Sequence, residues 1–108
     1  MPFMMKIPNQ PEQVRVATML FGNTLRAAIL NILSKAPATR AELCATLDVG
    51  EQSLARQIAM LEEHGVVETE ILPGRGRPTR HSLNTHRLIE FETILTSYIH
   101  ARGETPNA

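Results

Sequence analysis

Residues 39–84 constrain the fold more than any other part of the chain: TRAELCATLDVGEQSLARQIAMLEEHGVVETEILPGRGRPTRHSLN. They open on T-x-x-E, Thr39 to Glu42, the spacing of a capping box. The Thr39 hydroxyl can cap the first turn of a helix while the Glu42 carboxylate reaches back to the cap. That helix turns Leu43, Cys44 and Leu47 inward, and Asp48-Val49-Gly50 makes a turn. Glu51 starts a second helix with Leu54, Ile58 and Leu61 at the three-and-four spacing of one buried face. Gly65 stops it just after His64, as a glycine past a helix end does, and His64 can interact with the last carbonyls.

Residues 66–72 (VVETEIL) then alternate enough for a strand, and residues 80–83 supply the return strand. Between them Pro73-Gly74-Arg75-Gly76-Arg77-Pro78 is too rich in Gly and Pro for the interior of an element. Two short helices around a tight turn, followed by a hairpin with a basic tip, describe a winged helix-turn-helix. The fold class expected is therefore mainly α with a small β-hairpin wing.

The flanks extend this reading. Residues 1–11, with Pro2, Pro8 and Pro11, read as a flexible N-terminal arm. Pro11 suits a helix start and Glu12 suits its positive end. Val14, Ala17 and Phe21 give a short apolar face, which Met19 and Leu20 widen and Thr18 interrupts. Gly22 and Asn23 break that helix. Thr24 opens another with Leu25, Ala28, Ile29, Ile32 and Leu33 inward, and Ala36-Pro37 ends it. Asn84 or Thr85 caps a last helix. The division expected is an arm at 1–11, a DNA-binding domain at 12–84, a dimerisation helix at 85–102 and a disordered tail at 103–108.

Composition limits the function classes. At 108 residues there is room for one domain with one core, and 43% apolar residues make it globular. With no Trp, one Tyr and three Phe, that core must be mostly aliphatic. No apolar run reaches the roughly 18 residues of a membrane span, and the N-terminus lacks a secretory h-region. The single Cys44 excludes an internal disulfide and agrees with a reducing compartment, so a cytoplasmic protein is expected. The formal net charge is zero, which by itself argues mildly against nucleic-acid binding. Its distribution argues for it. Residues 73–87 carry Arg75, Arg77, Arg80, Arg87, His81 and His86 and no acid. Screening limits charge to a reach of about 8–10 Å, so the local patch outweighs the sum.

A helix that enters the major groove buries one face and offers polar side chains on the other. Over residues 51–64 the outward positions are Gln52, Ser53, Arg56, Gln57 and Met60. Arg can read guanine bidentately and Gln can read adenine, each worth about 1–3 kcal/mol of discrimination. Gln52, Ser53, Arg56 and Gln57, on the first turns, are the candidate readers. The alternative is an ordinary solvated helix face. Glu51 would repel phosphate and reads better as a charge matched to the helix N-terminus. In the wing, the glycines permit close backbone approach and Arg75, Arg77 and Arg80 supply charge. Such a tip fits a phosphate chain or an A·T-rich minor groove, against the alternative of a solvated turn.

These residues resemble the winged-helix bacterial repressors of the ArsR and MarR type. LDVGEQSLARQIAMLEEHGVV is similar to that family's turn and recognition helix without a gap. Ser53, Leu54, Ala55, Arg56, Ile58, Leu61, Glu62, Gly65 and Val66 fall at its positions. GNTLRAAILNILSKAPATRAEL likewise resembles the preceding helix and linker, so the resemblance covers about residues 14–84. It implies a dimeric repressor of transcription. Two departures stand out. Gly50 occupies the position where the family commonly has a Ser cap. Cys44 lies in LCATLD, similar to arsenic-sensing members, but Thr39 and Ala41 stand where companion cysteines are expected. One thiolate makes a poor soft-metal site, so Cys44 is expected to be a small buried hydrophobe. No His pairs with another His or Cys at i, i+4. A composite site across a dimer, with Glu90 or His100, matches no spacing of a metal motif. No metal and no cofactor are expected.

The last helix presents Leu88, Phe91, Ile94, Leu95, Tyr98 and Ile99. Part of this stripe must cover the domain's own core. The surplus suggests a homodimer, with Leu88, Phe91, Leu95, Tyr98 and Ile99 at the interface and any small-molecule effector between the subunits. The function expected is sequence-specific binding of double-stranded DNA by a dimeric repressor, without a membrane partner. The alternative is a winged-helix protein-interaction module that does not read DNA. An enzyme is not expected, because no nucleophile–base pair, phosphate-binding loop or catalytic carboxylate pair is present.

Overall fold

Residues 6–102 are described by a computed structural model of the chain. Five helices and three strands follow in the order α1 (Glu12–Phe21), α2 (Thr24–Leu33), β1 (Ala38–Thr39), α3 (Arg40–Leu47), α4 (Glu51–Glu63), β2 (Val67–Ile71), β3 (Thr79–Leu83) and α5 (Thr85–Ile99). The expected tail at 103–108 and the first five residues of the expected arm lie outside the described residues. Of the rest of that arm, Asn9 takes φ 64°, and the Gln10 side chain donates to the Tyr98 hydroxyl at 3.4 Å.

Local chemistry sets the helix ends. The capping box at the start of α3 is formed in both directions: Thr39 Oγ1 accepts from Glu42 N at 3.1 Å and Glu42 Oε1 from Thr39 N at 2.8 Å. The Thr39 backbone N–H, and then the Thr39 side chain beside it, hold the Glu42 carboxyl below the usual range. Asn23 caps α2 and Asn84 caps α5, each accepting from a backbone N–H three residues on. Gly65, at φ +76°, lets the chain leave α4 through the left-handed region open to glycine.

The sheet is antiparallel in the order β1-β3-β2, with Ala38 opposite His81 and Glu70 opposite Arg80. The hairpin β2–β3 is the wing that the sequence predicts. The strand β1 is not predicted there. It is two residues long, too short to show a period, and forms by pairing antiparallel with β3.

The core is aliphatic around a single aromatic ring. Ala17 and Leu20 of α1, Ile29 and Leu33 of α2, Leu43 of α3, Leu54, Ile58 and Leu61 of α4, Val66, Val67 and Phe91 are all buried. Three expectations shift. Leu20 takes the buried place expected of Phe21, which is only half-buried. Cys44 and Leu47 are half-buried, because α3 lies over one edge of the core and sinks only Leu43. Phe91, expected at a subunit interface, is 2% exposed and belongs to the chain's own core.

A buried cation orders the joint between α1 and α2, whose axes bend by 81°. Arg26 Nη2 donates to Met19 O at 2.6 Å and Nε to Leu20 O at 3.3 Å, satisfying carbonyls at the end of α1. Among the described residues no helix is by itself long and apolar enough to cross a membrane.

Candidate nucleic-acid interface

The helix α4 buries Leu54, Ile58 and Leu61 and turns Gln52, Ser53 and Arg56 to the outside, all three exposed. Gln57 differs from that expectation. It is half-buried, and its Oε1 accepts from Arg26 Nη1 at 2.5 Å, which ties the middle of α4 to the α1–α2 joint. Gly50 starts α4 without a side-chain cap, and Glu51 sits in the first turn, where an acid is stabilising.

The wing tip is shaped by its backbone. Leu72 N donates to Pro78 O at 2.8 Å, and inside that closure Arg77 N donates to Gly74 O at 3.3 Å. Gly76 at φ +79° and Arg77 at φ 47° turn the chain through the left-handed region. Arg75 and Arg77 are exposed, and among the described residues neither they nor Arg56 pairs with a carboxylate. Arg80 does. It stands opposite Glu70 across the hairpin and gives it two N–H bonds, at 2.6 and 3.1 Å. Arg87 leaves the basic patch altogether. Its guanidinium lies over the Phe91 ring at 4.3 Å, and its Nε donates to His64 O at 3.1 Å. It pins α5 to the end of α4.

The wing tip and the start of α4 share one groove. A hollow of about 730 Å³ lies between α3, with Arg40 and Cys44, and the loop Gly76-Arg77-Pro78, and Glu51 of α4 also lines it. The half-buried Cys44 thus packs against the core and also lines this groove.

A polar chain braces the groove from behind. Arg40 Nε donates to His81 Nε2 at 3.4 Å, and His81 Nδ1 lies 2.8 Å from Thr69 Oγ1, which donates to Glu62. Since Nε2 accepts, the ring proton sits on Nδ1, and every bond in the chain then runs one way, from α3 through β3 and β2 to α4. His81 is fully buried. Burial, and then the Arg40 charge, push its pKa below the ordinary 6.5, against a smaller upward pull from Glu62. The reading of the sequence missed this chain and Arg26 alike. The only local signal for His81 is its position in β3, one residue away from the outward Arg80.

Among the described residues no group of three or more His, Cys, Asp or Glu side chains is placed to hold a metal ion.

The comparisons with known proteins agree with this geometry. Residues 21–70 match the family described as Helix-turn-helix domain. No curated protein matches the chain. Among solved structures, it is similar to an ArsR family transcriptional regulator at 25% identity and a TM-score of 0.68, over 92% of this chain and 100% of that one. It is also similar in fold to HlyU from Vibrio cholerae N16961, at 20% identity and a TM-score of 0.63, over 86% and 99% of the two chains. An ArsR-like transcriptional regulator from Rhodococcus sp. RHA1 shares the fold at 23% identity and a TM-score of 0.65, over 83% and 81%. The matched domain, the helix order and the three-stranded wing give this chain a winged helix-turn-helix fold similar to that of ArsR-type regulators, and support a DNA-binding transcriptional regulator.

Proposed function

We propose that the chain acts as a homodimer that binds a pseudo-palindromic double-stranded site and represses transcription by occluding a promoter. The observation that carries this reading is an exposed polar face on α4 together with an exposed basic wing tip. Arg56 on α4, and Arg75 and Arg77 on the wing, pair with no carboxylate among the described residues. Gln52, Ser53 and Arg56 read base edges in the major groove, and Arg75 and Arg77 hold the backbone or the minor groove beside it. Gln57 contributes through its amide N–H₂, because its oxygen is held by Arg26. Arg80 is neutralised by Glu70 and steadies the hairpin.

The dimer forms through α5. Tyr98 and Ile99 are exposed at 42% and 66%; Ile89, earlier on α5, is exposed at 52% and Ile7 of the N-terminal segment at 42%. Half-buried Leu88 and Leu95 border that face, and Phe91 supports it from within. A small-molecule effector would sit between the subunits, against the hollow that α1 and α5 line with Val14, Ile94 and Tyr98. The protein works in a reducing compartment, the cytoplasm, without catalysis and without a resident cofactor.

Selection of bound sequences from a random duplex library tests this reading. The expected result is a two-fold related pair of half-sites whose preference relaxes with Arg56→Ala. Recovery of no enriched sequence contradicts it. The second reading, a protein-interaction module, draws on the zero net charge and the exposed isoleucines. It takes over if no salt-dependent binding to random duplex DNA is seen at low salt.

A further inference from the structure

We propose that Arg40 is a third anchor for the DNA backbone, seated on the α3 wall of the groove facing the wing and aimed there by His81. The proposal rests on the DNA-binding reading above and extends it to residues outside the recognition helix and the wing. A duplex that takes α4 in its major groove and the wing in the adjacent minor groove must carry its sugar–phosphate strand between them. The hollow of about 730 Å³ between α3, the start of α4 and the wing tip lies on that path. Ala41 and Ala45 keep its α3 wall low, and Arg40 and Arg77 face it from opposite sides.

Arg40 is half-buried, and no carboxylate pairs with it among the described residues. Its protein bond uses Nε, to the neutral ring of His81, and leaves the terminal nitrogens for an external oxygen. An arginine tethered to a neutral acceptor keeps its whole charge for a ligand, while the tether removes part of the rotamer freedom that binding would otherwise freeze. His81 is in turn held by Thr69 and, through it, by Glu62, so the aim of Arg40 is set by both the hairpin and α4. Glu51 also lines the groove, and its carboxylate repels phosphate, so the strand is expected nearer Arg40 and Arg77.

The test is duplex binding against salt, with a library-selected sequence and the full chain. Arg40→Ala is expected to weaken binding to all sequences and to flatten the slope of log K against log salt by about 0.9 per protomer. Arg40→Lys keeps the slope. His81→Leu is expected to weaken binding in the wild-type background and to cost nothing more once Arg40 is Ala. His81→Gln, which keeps an acceptor, recovers most of the affinity and serves as the folded control. An Arg40→Ala slope and affinity equal to wild type, with Arg77→Ala still impaired, overturns the anchor and leaves the DNA-binding reading intact. An equal His81→Leu penalty with or without Arg40 overturns the aiming role. Absence of salt-dependent binding by the wild type instead overturns the DNA-binding reading itself.

Discussion

Two residues show how much of this chain's behaviour follows from single positions. Gly50 begins α4 at φ −70°, ψ 153°, an extended conformation any residue can adopt, and a Cβ placed there meets nothing within 4 Å. Gly50→Ser should add the missing cap and raise stability by a few tenths of a kcal/mol, read as a small rise in the melting midpoint. A lower midpoint would show that the turn needs the glycine. His81 carries the pH dependence. Its folded pKa lies below the ordinary 6.5, so the unfolded chain binds the proton more readily. The stability it contributes is complete above about pH 6.5 and is lost as pH falls from there through the folded pKa. Melts from pH 8 down to pH 5 should fall more for the wild type than for His81→Gln. Parallel curves would contradict the buried, neutral ring. The Gly50 departure was legible in the sequence, since capping depends on neighbours. The roles of Arg26 and His81 were not, because their partners Gln57 and Arg40 lie 31 and 41 residues away.

At the scale of elements, the helices were read where local chemistry speaks. The Thr39–Glu42 box and the apolar spacing of Leu54, Ile58 and Leu61 needed no tertiary knowledge. The wing was legible as a hairpin, but the division of labour among its arginines was not. Which arginine is free depends on register, and register places Glu70 opposite Arg80 while leaving Arg75 and Arg77 in the turn. The double variant Glu70→Ala/Arg80→Ala should therefore bind duplex DNA within about twofold of wild type, as expected for an exposed, self-compensated pair. Arg77→Ala should weaken binding to every sequence alike. Fluorescence anisotropy on one duplex separates the two. A large loss in the double variant would return Arg80 to the DNA surface. The two-residue β1 escaped for a related reason, since its existence depends on β3 passing beside it.

For the whole molecule, the account requires that α5 serve two surfaces. Phe91 holds it to the domain, with Arg87 stacked on the ring, while Tyr98 and Ile99 face outward beyond the core. A dimer through this end would place two recognition helices about 34 Å apart, one turn of B-DNA. Ile99→Asp with Tyr98→Ala should move sedimentation from dimer to monomer without lowering the melting midpoint of the monomeric fold. An unchanged sedimentation coefficient would remove α5 from the interface. The central claim is that the exposed wing arginines meet a phosphate chain while α4 reads the bases beside it, and the salt dependence of equilibrium duplex binding tests it most directly. Two protomers that each neutralise phosphates with Arg75 and Arg77 predict a straight line of log K against log salt with a slope of about −3.6 or steeper. A flat line, or no binding at low salt, would contradict the account.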